Sequence, residues 1–402
     1  MREIVLINIT GVDSPGLVAV VTEVLAEGGA NILDIAQAVL HDTLSFTLLI
    51  EVAGDGAADA VLDELQARIA GQDQQVRVTP VSPADYARWV EHQDQSRHII
   101  TLMARQVSAA QLQRVASIAG QQGLSIEGID RLSRAAALDA SGPKACIELS
   151  VRGEPHDPLA LRRAFLDAAQ SLDFDVALQR DTLYRRHRRL AVFDMDSTLI
   201  EAEVIDELAK AHGVGERVSQ ITERAMRGEL DFRASFKERL ALLKGLDVSV
   251  LDAIGASLRL TEGAETLFAE LKRLGYKTAI LSGGFTYFAR QVQARLGIDY
   301  VFANELEVVD GQCTGVAVEP IVDAQRKADL LVELAGKEGL TLEQTIAVGD
   351  GANDLPMLAI AGLGVAFRAK PLVKQSAQQA ISTLGLDGVL YLLGVRDRDS
   401  QA

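Results

Sequence analysis

The chain has few cysteines, few histidines, few aromatic residues and no long apolar run. Only two cysteines occur among 402 residues, Cys146 and Cys313, which argues against a disulfide-stapled domain and fits a reducing cytoplasm. The six histidines are scattered without the spacing of metal ligands. No apolar run approaches the length of a membrane span, and the first residues enter a strand too early for a signal peptide. We therefore expect a cytoplasmic protein.

An excess of positive charge is also missing. The formal net charge is −16, which argues against a nucleic-acid or membrane partner. Hydrophobic residues make up 48% of the chain, enough to form the cores of two or three domains. An acidic protein that binds an anionic substrate must do so with local lysines and arginines, so the few basic residues close to glycine-rich turns become the candidates.

The most informative segment is an apolar run that ends in two acids. Residues 190–193 are followed directly by Asp194 and, two residues later, by Asp196. This pattern predicts a buried strand with two carboxylates at its carboxyl end, the edge where open α/β sheets bind ligands. Carboxylates held so close together need a cation or a shared proton. Taken alone, the segment fits a metal site with a nucleophilic or acid/base carboxylate as well as it fits an acidic loop.

Two later apolar runs end in a similar way. Residues 278–281 and 346–348 each lead into glycines and polar residues, and Lys327 begins a helical pattern between them. Hydroxyl groups, ammonium groups and exposed backbone amides bind phosphoryl oxygens, whereas paired carboxylates bind a hard divalent cation such as Mg²⁺. The residues at these two strand ends are Ser282, Gly283, Gly284, Gly349, Asp350, Asn353 and Asp354.

With these motifs in this order, the region from Arg189 to the C-terminus resembles the haloacid dehalogenase-like phosphatase superfamily. The resemblance implies an α/β fold with a Rossmann-like parallel sheet at residues 185–396. It also implies a helical cap at about residues 203–262, where the sequence is helical and amphipathic without a strand signal. The alternative is a degenerate relative that binds phosphate without turnover.

The resemblance also implies a role for each polar residue. Asp194 would be the nucleophile that forms an aspartyl-phosphate, and Asp196 the acid and base at the leaving oxygen. Mg²⁺ would be held by Asp194, the backbone carbonyl of Asp196, and Asp350. The supporting residues would be Ser282 and Lys327 on the phosphoryl oxygens with the amides of Gly283 and Gly284, Asn353 as a further phosphate contact, Thr198 orienting Asp196 or its loop, and Asp354 holding Lys327 or a water.

Three segments resemble the phosphoserine phosphatase family more narrowly: residues 194–203, 226–232 and 236–239. In that family an acid at the position of Glu203 meets the substrate ammonium, and an arginine at the position of Arg239 pairs with the substrate carboxylate. Apolar residues at the positions of Met226 and Phe232 shield the closed site. A zwitterionic amino acid does need one anion and one bidentate cation. The alternative is that Glu203 and Arg239 lie on solvated helix faces.

The N-terminal half shows the order strand, helix, strand, strand, helix, strand twice, at residues 1–84 and 97–181. Both copies resemble the ACT domain, a ferredoxin-like βαββαβ fold that senses small ligands. In the first copy, residues 13–17 should supply an N-cap and a first-turn proline to the first helix. A free amino acid, L-serine, is expected there. The residues expected to bind it are Asp13, Gly16 and Asn31.

The second copy departs from the pattern, because residues 105–108 replace the Asp-x-Pro-Gly turn and leave its ligand binding open. A loop is predicted at 136–143. The basic run at 184–189 fits a solvated linker better than a basic collar that steers phosphate or clamps the regulatory domain. Exposed sheet edges in both copies predict a homodimer.

Three functional hypotheses follow. The first is a Mg²⁺-dependent phosphatase that makes L-serine from phosphoserine, the last step of serine biosynthesis, regulated by an amino acid. The second is the same chemistry on another small phosphomonoester. The third is an amino-acid sensor with a weakly active or inactive phosphatase domain.

Overall fold

The structure is a computed structural model, of which residues 2–54, 56–69, 73–135 and 144–400 are described, without the side chain of Met226. The predicted loop at 136–143 lies outside these residues. The chain divides into two compact units, Met1–Gln95 and Ser96–Ala402. Within the described residues, no helix is both long enough and apolar enough to cross a bilayer. The predicted fold class is confirmed, whereas the domain boundaries 1–84, 97–181 and 185–396 stay predictions.

The first unit is an antiparallel sheet in the order β2-β3-β1-β4, with apolar helix faces packed on one side. The chain crosses it as a βαββαβ fold, and a further helix follows that the sequence analysis did not predict. The elements are β1 (Arg2–Val12), α1 (Leu17–Glu27), β2 (Asn31–Leu40), β3 (Thr43–Ala53), α2 (Ala57–Ile69), β4 (Gln74–Val81) and α3 (Pro83–Gln93).

The start of α1 differs from the prediction. Gly16 is the N-cap residue, in the left-handed region with φ 93°, and no side chain caps the helix. Pro15 therefore lies before the helix instead of in its first turn. The predicted side-chain N-cap was wrong because the chain reverses at Gly16, a conformation that glycine adopts without strain. Asp13 lies in the β1–α1 loop and Asn31 at the start of β2, after α1, and both are exposed.

The second unit begins with the same topology, a sheet in the order β6-β7-β5-β8. Ser108 caps its first helix in a reciprocal capping box with Gln111, so two of the amides that the first copy leaves uncapped are bonded here. The elements are β5 (Arg97–Ala104), α4 (Ala109–Gln121), β6 (Ser125–Arg131), β7 (Ala145–Arg152), α5 (Pro158–Leu172) and β8 (Asp175–Arg180).

The remainder of the second unit is an α/β domain. Helices α6 to α9 follow the first strand, as predicted for the cap, and a small hairpin, β12 with β13, was not predicted. The elements are β9 (Leu190–Phe193), α6 (Val204–Ala211), α7 (Gly215–Met226), α8 (Phe232–Ala241), α9 (Val250–Ser257), α10 (Ala264–Arg273), β10 (Lys277–Phe285), α11 (Thr286–Leu296), β11 (Tyr300–Asn304), β12 (Leu306–Val309), β13 (Gln312–Ala317), α12 (Ala324–Lys337), β14 (Thr345–Gly349), α13 (Leu355–Ile360), β15 (Leu363–Phe367), α14 (Pro371–Ser376), β16 (Gln379–Ile381) and α15 (Gly388–Leu392).

Its sheet is parallel, with strand order β11-β10-β9-β14-β15-β16. All four residues of β9 are fully buried, as expected for a strand covered by helices on both faces. The strands β10 and β14 flank β9, so the three polar strand ends predicted from the sequence lie side by side at one edge of the sheet.

The second ACT-like copy is hydrogen-bonded to the α/β domain through β8. The side chain of Gln379 accepts from the Leu178 amide at 3.1 Å and donates to the Leu178 carbonyl at 2.7 Å. Asp175 accepts from the backbone amides of Ser382 at 2.9 Å and Thr383 at 2.8 Å. Side chains thus provide some of the hydrogen bonds that a neighbouring β-strand would otherwise make to the backbone at this edge.

The basic run before β9 is not a solvated linker. Arg185 is fully buried and forms an ion pair with Glu148 of β7, and Arg188 is only 5% exposed. Two residues of the run therefore lie between the ACT-like copy and the α/β domain. The prediction of a solvated linker was wrong because charge alone does not reveal a carboxylate more than thirty positions away.

Candidate active site

The parallel sheet brings Asp194, from the end of β9, next to Lys327 of α12. The Lys327 ammonium lies 2.8 Å from Asp194 Oδ1 and 2.7 Å from Asp354 Oδ1, and the lysine is fully buried. Burial opposes its charge, but Asp194 and Asp354 outweigh that effect and raise the pKa of Lys327. Lys327 is thus a fixed cation beside the candidate nucleophile, and of the two partners considered for Asp354, Lys327 or a water, its side chain bonds Lys327.

Asp350 completes a group of carboxylates at the end of β14. Oxygens of Asp194, Asp350 and Asp354 all lie within 4.8 Å of one another. Thr198 donates to Asp350 Oδ1 at 3.0 Å. The sequence analysis expected Thr198 to orient Asp196 or its loop, but its hydroxyl is bonded to Asp350 instead, because the turn after β9 passes beside the end of β14.

This group carries more negative charge than its lysine balances. Burial, with Asp354 next, raises the pKa of Asp194 well above its usual range. Burial also raises the pKa of Asp350 to about 7, helped by Asp354. Oxygen ligands with an unbalanced charge are what a hard divalent cation requires, so these residues fit Mg²⁺. The sequence analysis expected Asp196 to bind Mg²⁺ through its backbone carbonyl. The third side chain in the carboxylate group, beside those of Asp194 and Asp350, is that of Asp354.

Asp196 is positioned by the start of the cap. Its Oδ1 accepts from the Val204 amide at 2.9 Å. Burial and the nearby Glu203 carboxylate raise the pKa of Asp196 to about 7. Gly284 leaves the room that this carboxylate occupies, since a Cβ there would lie 2.4 Å from Asp196 Oδ2. A larger residue at this position would displace the Asp196 carboxylate.

Ser282 is fully buried beneath the same strand end, and its hydroxyl oxygen accepts from the Gly284 amide at 2.9 Å. Gly283 precedes that amide and lines the cavity above. A Cβ on Gly283 would lie 2.8 Å from the ring of Phe232, so the cap approaches the sheet edge closely here. Asn353 lines the cavity from the short helical turn after β14.

A cavity of about 680 Å³ extends from these residues to the cap helices. Glu203 and Arg239 both line it, together with Phe232. Ser197 donates to Glu203 Oε1 at 2.7 Å. Burial raises the pKa of Glu203, although its side chain keeps access to solvent through the cavity. Both residues line the cavity, Arg239 half-buried and Glu203 exposed.

Arg239 donates to the Ser235 carbonyl at 3.4 Å and is half-buried. Burial lowers the pKa of its guanidinium, and Glu203 opposes that shift. Phe232 stacks on Phe236 with 6.1 Å between ring centroids, which gives the cavity one aromatic wall. Met226 ends α7, but its side chain lies outside what the structure describes.

Comparison with known proteins agrees with this geometry. The profile of haloacid dehalogenase-like hydrolases matches residues 191–359, and that of the ACT domain matches residues 3–79. A phosphoserine phosphatase of Streptomyces coelicolor is 38% identical over 99% of this chain and 93% of its own length. One from Mycobacterium tuberculosis is 39% identical over 99% of this chain and 95% of its own length. The chain belongs to the phosphoserine phosphatase family.

This family belongs to the haloacid dehalogenase-like hydrolases, and the chain is therefore a phosphatase. A solved structure supports the fold: a hydrolase of this superfamily from Salmonella enterica serovar Typhi has a TM-score of 0.64 and 34% identity, covering 73% of this chain and 98% of that one.

Sequence reasoning missed two charged residues of this phosphatase cavity, Lys370 and Asp206. Lys370 lies between the end of β15 and Pro371, the first residue of α14. Its place after a predicted strand and before a proline that begins a helix could have marked it as a residue of the sheet edge. Asp206 lies in the first turn of α6, where an acid is usual at a helix start and therefore gives no functional signal.

Proposed function

We propose that this phosphatase hydrolyses O-phospho-L-serine to L-serine and phosphate through an aspartyl-phosphate on Asp194, as the last step of serine biosynthesis. The observation that carries the proposal is one cavity lined by Asp194, Glu203 and Arg239, with Lys327 buried behind it at 2.8 Å from Asp194. The Asp194–Lys327 pair suits a phosphoryl ester, and Glu203 with Arg239 suits the two charges of an amino acid.

The recognition step uses three charges. Lys327, Ser282 and the Gly283 amide would bind the phosphoryl oxygens, and Asn353 would add a contact at the rim. Arg239 would pair with the serine carboxylate and Glu203 with the ammonium. The aromatic wall at Phe232, with Met226, would limit water in the closed cavity.

In the first chemical step, an Asp194 carboxylate oxygen attacks phosphorus and the bond from phosphorus to the seryl oxygen breaks. The carboxylic acid of Asp196 gives its proton to that oxygen, and L-serine leaves. In the second step, the Asp196 carboxylate takes a proton from a water whose oxygen attacks the same phosphorus. The acyl–phosphate bond breaks, so Asp194 is regenerated and phosphate is released.

Mg²⁺ is the proposed cofactor, held by Asp194, the backbone carbonyl of Asp196, and Asp350. When bound, it supplies positive charge that offsets the charge of the phosphoryl oxygens. Thr198 orients Asp350 by its hydrogen bond, and Asp354 keeps Lys327 beside Asp194.

We further propose that L-serine binds the first ACT-like domain at Asp13, Gly16 and Asn31 and lowers the activity. The support is the uncapped start of α1, whose amides suit a carboxylate, and the exposed side chain of Asp13 in the loop just before it. Asn31 is included as an exposed polar residue at the start of β2. The capping box at Ser108 satisfies the corresponding amides of the second copy, so the proposal is confined to the first.

A homodimer is proposed because β2 is an edge strand with exposed apolar side chains, including Ile35, Val39 and Leu40. The proposed setting is the cytoplasm, in agreement with the free thiols of Cys146 and Cys313.

The test of the substrate is phosphate release from three related esters. O-Phosphoethanolamine lacks the carboxylate of phosphoserine, and 3-phosphooxypropionate lacks the ammonium. Arg239→Ala should lower kcat/KM for phosphoserine by about 10- to 100-fold, as expected for a lost charged hydrogen bond, and affect phosphoethanolamine far less. Glu203→Gln should show the same selectivity against phosphooxypropionate.

Lys237→Ala, an exposed substitution on the same helix as Arg239, is the matched control and should leave all three rates unchanged. An equal loss of kcat/KM on every ester would mean that Arg239 stabilises the cap and does not bind the substrate carboxylate. Failure of the unaltered chain to release phosphate from phosphoserine, with turnover of another ester, would replace the proposed substrate.

A further inference from the structure

A second cavity, of about 380 Å³, lies in the second unit between the ACT-like copy and the α/β domain. The ACT-like side is formed by α5 and β8, and the other side by β15, β16 and the helix α14. Its walls combine apolar side chains with four cations: Arg162 of α5, Arg180 of β8, Arg188 before β9, and Lys374 of α14. Arg180 is paired with Glu154 at 2.8 Å, so the argument rests on the other three. None of its lining residues has been given a role in the proposed chemistry.

Arg188 is buried without a balancing charge. It is 5% exposed, and it donates to the carbonyls of Arg185 at 3.0 Å and Gly362 at 3.2 Å and to the Gln179 side chain at 3.4 Å. Its Nε has no hydrogen-bond acceptor among the described residues. Burial lowers the pKa of Arg188 to about 10. A buried guanidinium that meets only neutral oxygens leaves a net positive charge in the wall.

Among the described residues, Arg162 and Lys374 likewise have no carboxylate within ion-pair distance. Arg162 donates to the Lys374 carbonyl at 3.3 Å, and burial lowers the pKa of its guanidinium. Within the described part of the chain, Arg162, Arg188 and Lys374 form no ion pair, and no Asp or Glu lines the cavity. Asp175, whose charge acts on Lys374, is already bonded to Ser382 and Thr383.

We propose that this cavity binds a small organic anion that carries two acidic groups and no ammonium group. Two guanidinium groups and an ammonium group suit two carboxylates, or a carboxylate and a phosphate. The apolar walls at Phe165 and Leu178 would contact a short carbon chain between the two acidic groups. A zwitterionic amino acid is excluded by charge, because its ammonium would meet cations and find no carboxylate.

Occupancy of this cavity would reach the active site through α14. The helix is six residues long, and Lys374 lines the anion cavity while Leu372 and Val373 line the active-site cavity. Lys370, just before the helix, lines the active-site cavity as well. A ligand that draws Lys374 toward it therefore shifts side chains beside the substrate, so binding should change the kinetics of hydrolysis.

The test is calorimetric titration of the full chain, in chelator to prevent turnover, with succinate, 2-phosphoglycolate, inorganic phosphate and L-serine. We expect succinate or 2-phosphoglycolate to bind, and their ratio of affinities distinguishes a dicarboxylate from a phosphorylated acid. Arg162→Gln should weaken the bound probe by at least about tenfold, the loss of one charged contact. Lys374→Gln should do the same. Arg163→Gln, an exposed neighbour on the same helix, should leave the affinity unchanged.

The proposal is overturned if neither diacid binds at millimolar concentration, or if Arg162→Gln and Arg163→Gln bind the probe equally well. L-Serine binding that disappears in Arg162→Gln would also overturn it, by showing that the cavity takes a zwitterion. In steady-state assays with Mg²⁺, the bound diacid should alter KM for the phosphoester in Arg163→Gln and not in Arg162→Gln. An unchanged KM in both would refute the coupling through α14.

Discussion

At the scale of residues, the site holds three carboxylates close together, and the charge of one lysine cannot balance them. Asp194, Asp350 and Asp354 surround Lys327, and burial raises the pKa of Asp194 and Asp350. A divalent cation would relieve this excess, so the residues that orient its ligands should matter even where they do not touch the substrate. Thr198 is such a positioning residue, through its single hydrogen bond to Asp350.

Thr198→Val should therefore weaken Mg²⁺ binding by about 10- to 100-fold, because Asp350 loses the donor that fixes its orientation. The measurement is the Mg²⁺ concentration that gives half-maximal phosphate release. Thr278→Val is the matched control, a buried threonine at the opposite end of β10 that bonds to Asp299. The same Mg²⁺ dependence in Thr198→Val and the unaltered chain would contradict this role.

The sequence predicted which residues meet, because apolar runs that end in acids mark parallel strand ends. Asp194 and Asp350 directly follow β9 and β14, and Ser282 lies within β10 near its carboxyl end; the sheet brings these three strands side by side. The sequence could not predict the partner of Thr198, since that depends on how the turn after β9 lies against β14. For the same reason it missed Lys370, which reaches the cavity only through the path of the chain after β15.

At the scale of elements, helix starts distinguish the two ACT-like copies. The helix α1 begins at Gly16 without a side-chain cap, whereas Ser108 and Gln111 cap α4 reciprocally. The capping box was readable in the sequence as Ser-x-x-Gln, but a turn with φ 93° at Gly16 was not. The hairpin of β12 and β13 was missed because four- and six-residue strands give too short an alternation to recognise.

Gly16→Val should abolish inhibition by L-serine while leaving hydrolysis intact. There is open space for a side chain at Gly16, but a β-branched residue is strained at φ 93°, so the turn that presents the α1 amides should change. The measurement is phosphate release against serine concentration. Gly56→Val is matched in strain, with φ 73° and open space in the same unit.

Serine inhibition should persist in the Gly56→Val control. Equal inhibition in the two variants would remove the α1 turn from the effector site. If millimolar serine leaves the unaltered chain fully active, the proposal of feedback itself fails.

At the scale of the whole molecule, the second ACT-like copy and the α/β domain form one unit, Ser96–Ala402. The contacts that join them are polar and buried: Arg185 with Glu148, and Asp175 with the segment after β16. The sequence could not predict this docking, because a run of arginines reads as solvated charge until its distant partner is known. If this copy or the cavity beside it binds a ligand, the docking gives that binding event a direct path to the catalytic sheet.

Asp175→Ala should destabilise this unit by about 1–3 kcal/mol, because it leaves partly buried donors without their acceptor. Those donors are the Ser382 amide and the amide and hydroxyl of Thr383, at 2.6–2.9 Å. The free energy of unfolding of the full chain in urea is the measurement, with Asp167→Ala, an exposed acid on α5, as control. An unchanged stability in Asp175→Ala would mean that the docking contact contributes nothing net.

The central claim is that phosphate passes through Asp194. The most direct measurement is rapid acid quenching of the enzyme with Mg²⁺ and phosphoserine labelled at phosphorus, followed by mapping of the labelled peptide. The label should appear on the peptide that contains Asp194 before free phosphate accumulates, and it should be removed by hydroxylamine, as an acyl phosphate is. Asp194→Asn should show neither label nor turnover. Release of phosphate by Asp194→Asn at a rate near that of the unaltered enzyme would contradict the account.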